Sequence, residues 1–172
     1  MEESKKKPRV PRWRMYAINA LILVVVIVGI RVWQHRGLVS GDAPSLQGIT
    51  LEGQPYRLSD QRGKAVLVHF WATWCPVCRA EQGNIAAIAQ DNPNVITIAM
   101  QSGKPQEVIQ YMKEQGTGFP VVNDPGNNLA RAWGVHAVPT TFVISPDGQI
   151  CFVEVGYTTE LGLRLRMWLA GR

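Results

Sequence analysis

The sequence predicts an α/β domain preceded by one long apolar helix. Two observations carry that reading. Short β-branched runs alternate with stretches of helical period over Ser45–Arg172, ending in a hairpin and a last helix. In front of them stands an uncharged run, Met15–Ile30, behind a cluster of basic residues.

Lys5, Lys6, Lys7, Arg9, Arg12 and Arg14 precede that run, whose 16 residues include one polar side chain, Asn19. A membrane span takes roughly 17–25 residues. Val32 and Trp33 extend the run, and Arg14 and Arg31 can snorkel outward. Trp13, Tyr16 and Trp33 stand where interfacial aromatics belong. The rival reading is a cleaved secretory signal. The stretch RVWQHRGLVSGDA after the run offers no good small-residue cleavage pattern. The expectation is therefore an uncleaved, single-pass anchor over 15–33. The positive-inside rule puts the basic tail 1–14 in the cytoplasm and the rest outside it. Residues 34–44 (QHRGLVSGDAP) read as a linker, and 45–172 as the folded domain. Its 128 residues suffice for a hydrophobic core.

The formal net charge of +5 hints at nucleic acid, but its location removes the hint. Residues 1–36 hold eight Lys/Arg and two Glu, whereas 37–172 hold ten Lys/Arg and eleven Asp/Glu. A nucleic-acid groove needs its charge on the folded body, so no nucleic-acid partner is expected. Three cysteines are too few for a disulfide scaffold or a four-cysteine zinc ribbon.

Along the domain, Ala65–Phe70 and Val95–Met100 read as buried strands. Pro76–Gln90 reads as a helix, with Val77, Ile85, Ile88 and Ala89 at helical spacing and Asp91-Asn92-Pro93 as its stop. Pro105–Gln115 is a second helix, opened by Pro and closed by Gly116. Phe119–Val122 is a brief strand and Asn128–Trp133 a short helix. Thr140–Ile144 and Gln149–Val155 form a hairpin around Pro146-Asp147-Gly148. Thr159–Leu169 is the last helix, with Leu161, Leu165, Trp168 and Leu169 on one side.

The chemistry lies in Trp74-Cys75-Pro76-Val77-Cys78, between a buried strand and a helix. A Cys at a helix start meets free backbone N–H groups and the positive dipole end, which favour the thiolate. A second Cys one turn on can close a disulfide with it. Pro76 suits the first turn because it has no N–H to waste. Cys75 is therefore the expected nucleophile and Cys78 the resolving thiol. Haem attachment would need His after the second Cys, and residue 79 is Arg. A metal site would need further ligands, and Cys151, His35, His69 and His136 are scattered without ligand spacing. No metal or cofactor is expected. A structural disulfide remains the bland alternative. A second signal is Val138-Pro139-Thr140, where Pro139 reads either as a strand-start residue or as a cis proline against the disulfide. In the latter case the backbone of Val138 pairs with an extended substrate.

WATWCPVCRAE, the upstream LEGQPYRLSDQRGKAVLVHF and the downstream GVHAVPTTFVISPDGQI resemble the membrane-anchored, TlpA-like branch of the thioredoxin superfamily. The tail FVEVGYTTELGLRLRMWLA is most similar to the subgroup called suppressor of copper sensitivity protein D. The resemblance covers 45–172. It implies a thioredoxin fold with an N-terminal β-hairpin extension and an inserted helix, assigned to Pro105–Gln115. It further implies a periplasmic thiol–disulfide oxidoreductase on the bacterial inner membrane, with a link to copper stress. Cys75 and Cys78 match the active pair and Pro139 the cis proline. Trp74, Pro76, Val77, Val138 and His69 become candidates for redox tuning or substrate contact. The expected partners are substrate proteins carrying thiols or disulfides, together with an electron-delivering membrane protein for a reductant in an oxidising space. The expected state is a monomer. Reduction of apocytochrome c and non-enzymatic Cu(I) binding are the competing roles.

Three positions depart from the pattern. Thioredoxin has a buried Asp six residues before the first Cys, and here that position is His69, either a neutral core histidine or a proton relay. Gly83 stands where relatives often have a helix-kinking Pro. Cys151 has no partner in the motif. Strict alternation of Cys151, Val153 and Val155 against Glu154 predicts that it faces the core and stays inert.

Overall fold

A mixed six-stranded sheet organises the larger of two units into which the chain divides after Arg36. The structure is a computed structural model describing residues 12–35 and 38–172. Residues 1–11 of the basic tail and 36–37 of the linker lie outside the described residues. The first unit contains helix α1, Arg12–His35, with exposed apolar side chains from Leu21 to Val26. Among the described residues, no helix is long and apolar enough to cross a membrane.

In the second unit the elements run β1 (Gly41–Asp42), β2 (Gln47–Ile49), β3 (Pro55–Arg57), β4 (Val66–Trp71), α2 (Pro76–Asp91), β5 (Val95–Met100) and α3 (Pro105–Gln115). They continue with β6 (Val121–Asp124), α4 (Asn128–Ala132), β7 (Thr140–Ile144), β8 (Gln149–Val155) and α5 (Glu160–Ala170). The sheet order is β1-β8-β7-β4-β5-β6, with β4, β5 and β6 parallel and the other pairs antiparallel. β2 and β3 form a separate hairpin, the N-terminal extension of a thioredoxin-like fold. The linker read over 34–44 contains β1, which pairs with the start of β8.

β4 is buried on both faces because a hydrophobic cluster packs on each side of it. Alternation sends Leu67 and Trp71 to one face, where α2, α3 and α5 contribute Ile85, Ile88, Val108, Met112, Leu163 and Met167. Val66, Val68 and Phe70 go to the other, with Leu46, Leu58, Trp133 and Phe142. There Trp133 and Phe142 meet edge to face with ring centroids 4.9 Å apart.

Three sequence expectations shift. The strand read at Phe119–Val122 starts at Val121, because Pro120 has no N–H for the ladder. Its carbonyl still accepts from the Thr97 N–H at 2.9 Å, and Phe119 packs edge-on against Trp71. The last helix buries Leu163, Met167 and Ala170, whereas the stripe Leu161, Leu165, Trp168 and Leu169 faces out. Cys151 is exposed rather than core-facing. The reason is a β-bulge. Ile144 pairs with Ile150 and Val143 with Phe152, so Cys151 is the extra residue and strict alternation fails. In the oxidised native protein Cys151 should therefore react with a maleimide at the rate of an exposed thiol; protection comparable to a buried cysteine would contradict this placement.

Candidate active site

Cys75 is the N-cap of α2, with extended backbone (φ −92°, ψ 112°), and Pro76 occupies the first helical turn. Cys75 and Cys78 form a disulfide with their Cα atoms 5.3 Å apart. The Cys78 N–H donates to Cys75 Sγ at 3.1 Å. A helix-start amide thus points at the sulfur on which negative charge develops. Both cysteines are buried, Cys75 at 3% exposure and Cys78 at 0%.

The Val138–Pro139 peptide is cis. The Val138 carbonyl oxygen lies 3.5 Å from Cys75 Sγ, which brings the two motifs 63 residues apart into contact. The Pro139 carbonyl accepts from the Gly156 N–H at 2.8 Å, so the β8–α5 loop sits beside the cis peptide. Trp74 and Val77 are exposed and form the apolar rim. The Trp74 indole N–H donates to the Gln101 carbonyl at 3.1 Å, and Gln101 has the left-handed φ of 48°.

A buried hydroxyl holds the motif from below. Ser102 Oγ accepts from the Thr73 N–H at 3.0 Å and donates to the Met100 carbonyl at 3.0 Å. Nothing in the sequence motif pointed to Ser102, which lies past the end of a neighbouring strand. Ser102→Ala should cost about 1 kcal/mol of stability by leaving the Thr73 amide without its acceptor. It should also alter the Cys75 pKa, read from the pH dependence of alkylation, while Ser102→Thr retains the wild-type curve. An unchanged alkylation curve in Ser102→Ala would limit Ser102 to a structural role.

His69 lies on the sheet face that carries the cysteine cluster, flanked in register by Thr97 and Thr141. Its Nδ1 is 2.9 Å from Thr141 Oγ1. Burial lowers its pKa to about 3, so the ring is neutral at working pH. Next to it, Thr97 Oγ1 accepts from the Trp71 indole at 3.0 Å.

Glu81, one turn beyond Cys78 on α2, is fully buried. Oε1 accepts from the Thr158 N–H at 3.1 Å, and Oε2 has no hydrogen-bond partner among the described residues. Burial raises its pKa to about 7, opposed by the Thr158 bond. The signal was present: Glu81 lies on the inward stripe of α2 with Cys78, Ile85 and Ile88. The rest of the β8–α5 loop is strapped to α2 by Asn84, whose amide donates to the Thr158 carbonyl at 2.9 Å.

Among the described residues, no three His, Cys, Asp or Glu side chains gather to hold a metal. What the geometry offers is a disulfide pair at a helix start. Its helix-start amide stabilises a thiolate, and a backbone carbonyl stands opposite.

The family model described as the AhpC/TSA family matches residues 39–153. The chain belongs to the AhpC/TSA family. It is 31% identical over 158 residues to the thiol-disulfide oxidoreductase ResA of Bacillus subtilis strain 168, covering 86% of this chain and 88% of that one. It is 33% identical over 126 residues to the thiol:disulfide interchange protein HelX of Rhodobacter capsulatus, covering 72% and 71%. A thioredoxin-family thiol:disulfide interchange protein of Chlorobium tepidum superposes with a TM-score of 0.66 at 31% identity, covering 77% and 97%. This AhpC/TSA protein is a thiol–disulfide oxidoreductase of the ResA/HelX type, with Cys75-Pro76-Val77-Cys78 as its Cys-X-X-Cys pair. Its substrates are proteins with thiols or disulfides.

Proposed function

We propose that this chain is a membrane-tethered reductant of envelope proteins, single-pass in a bacterial inner membrane, with its catalytic domain in the periplasm. The observation that carries the redox part is the disulfide at the start of α2 with Cys75 Sγ beside the Val138 carbonyl. The tether rests on the sequence: a basic tail 1–14, the apolar anchor 15–33 and a short linker 34–44 before the domain 45–172.

In the forward direction the Cys75 thiolate attacks one sulfur of a substrate disulfide, and the other substrate sulfur leaves as a thiolate. Cys78, deprotonated, then attacks Cys75 Sγ of the mixed disulfide. The Cys75–Cys78 bond forms, the second substrate sulfur leaves, and each departing thiolate takes up a proton. The substrate gains two electrons and the enzyme loses two. A membrane-borne dithiol donor restores the reduced enzyme by the reverse exchange. Pro139 and Val138 present the backbone that an extended substrate pairs with, while Trp74, Pro76 and Val77 shape the rim. His69, being neutral, tunes the site through Thr141 rather than by titrating. The enzyme works as a monomer.

The reduction potential of the full chain in detergent tests the direction. A value near −270 mV or lower (roughly that of thioredoxin) is expected, and one near −120 mV (about that of a strong periplasmic oxidant) would overturn the reductant assignment. A place in copper stress is supported by the resemblance of the FVEVGYTTELGLRLRMWLA tail alone.

A further inference from the structure

We propose that the outward face of α5 rests on the bilayer surface, as a second membrane contact beside the tether. This builds on the anchored reading above. Leu161, Leu165, Trp168 and Leu169 fall at i, i+4, i+7 and i+8 and are 78, 53, 53 and 45% exposed. The opposite stripe of the helix is the buried one. The acidic groups around α5 are engaged on its flanks: Arg164 pairs with Asp91 and Glu160, and Arg166 with Glu154. The Arg172 guanidinium lies 3.5 Å over the Trp168 ring, so the outward face carries apolar side chains and a cation. Leu, Trp and Arg together are the composition of a helix lying at a headgroup boundary that contains anionic lipid.

The chain enters the folded domain through β1, at the end of the sheet where α5 finishes. Val66 pairs with Ile144, Ile144 with Ile150, and Ile150 with Gly41. A Cβ at Gly171 would stand 3.7 Å from that of Ala65. The start of β1, the start of β4 and the last turn of α5 therefore share one end of the sheet. The disulfide follows the other end of β4. With α5 along the bilayer, Cys75 is held at a fixed height, where a membrane-borne dithiol donor meets it.

The test uses the full chain in vesicles of phosphatidylcholine and phosphatidylglycerol. An environment-sensitive fluorophore is attached at Leu165→Cys in a Cys151→Ser background, with the Cys75–Cys78 disulfide intact. The control label is at Ala132→Cys, on α4 across the sheet. Lipids brominated near the headgroup should quench the label at 165 about threefold more than the one at 132. Equal, water-like emission at both positions, with the protein retained after alkaline carbonate washing, would overturn the surface contact and leave the anchor standing. Release of the whole chain by carbonate would overturn the anchor and this inference with it. A blue-shifted label at 165 that persists without lipid and tracks protein concentration would assign the face to a second copy of the chain instead.

Discussion

A chain carrying Cys75→Ser is expected to lose thiol–disulfide exchange by at least about a thousandfold, because the sulfur that the helix-start amide supports as a thiolate is gone. Cys78→Ala is expected to behave differently. Cys75 keeps its place at the helix start, and its thiolate still accepts from the residue 78 amide, which the substitution leaves in place. Attack proceeds, but no second thiol resolves the adduct. The outcome is one equivalent of covalent enzyme–substrate mixed disulfide, released by added dithiol, and no turnover. Both variants are made in the Cys151→Ser background, since that exposed thiol would otherwise form adducts of its own. Adduct yields read by non-reducing electrophoresis decide the matter. A Cys75→Ser chain that forms adducts through Cys78 as fast as Cys78→Ala does through Cys75 would reverse the assigned roles. In cells, the proteins trapped by Cys78→Ala would also separate the candidate substrates, with apocytochrome c on one side and envelope proteins of copper stress on the other.

The sequence displayed the strands and helices of the α/β domain because each is a local pattern. Val95–Met100 is a six-residue buried run, and Pro105–Gln115 carries its own Pro start and Gly stop. The Cys75–Cys78 pair was legible for the same reason: helix-start chemistry lies within four residues. What was hidden depends on contacts between segments far apart. Cys151 faces out because of a bulge set by its pairing with β7, which alternation along β8 alone does not reveal. The last helix has two apolar stripes, and only packing against the sheet chooses Leu163 and Met167 over Leu161 and Leu165. Ser102 joins the site through the Thr73 amide, 29 residues away. Glu81 was readable in principle from its place on the inward stripe of α2 with Cys78, Ile85 and Ile88. The β8–α5 loop that covers it arrives from 77 residues downstream.

His69 and Glu81 should give the folded state two opposing pH dependences. His69 is buried as the neutral base, with its pKa lowered to about 3 from an ordinary 6.5. Between those values the unfolded chain binds the extra proton, so this contribution to stability is full above pH 6.5 and is lost as pH falls towards 3. Glu81 works the other way. Its pKa is raised from 4.5 to about 7, so the folded chain holds the extra proton, and stability falls as pH rises through that window. Each slope approaches about 1.4 kcal/mol per pH unit at full effect. From pH 4.5 to 6.5, where the two windows overlap, they largely cancel, so urea unfolding of the wild-type protein should vary little with pH there. Glu81→Gln removes one side of that balance. It retains an acceptor for the Thr158 amide and supplies no titrating proton. Stability of that variant should climb with pH from 4.5 to 6.5 and then level off, giving a gain over wild type at pH 7 of about 3 kcal/mol. His69→Gln should expose the opposite slope, with stability declining from pH 4.5 to 7 whatever its absolute loss. Parallel pH profiles for wild type and Glu81→Gln would show that Glu81 titrates at an ordinary carboxylate pKa in the folded protein.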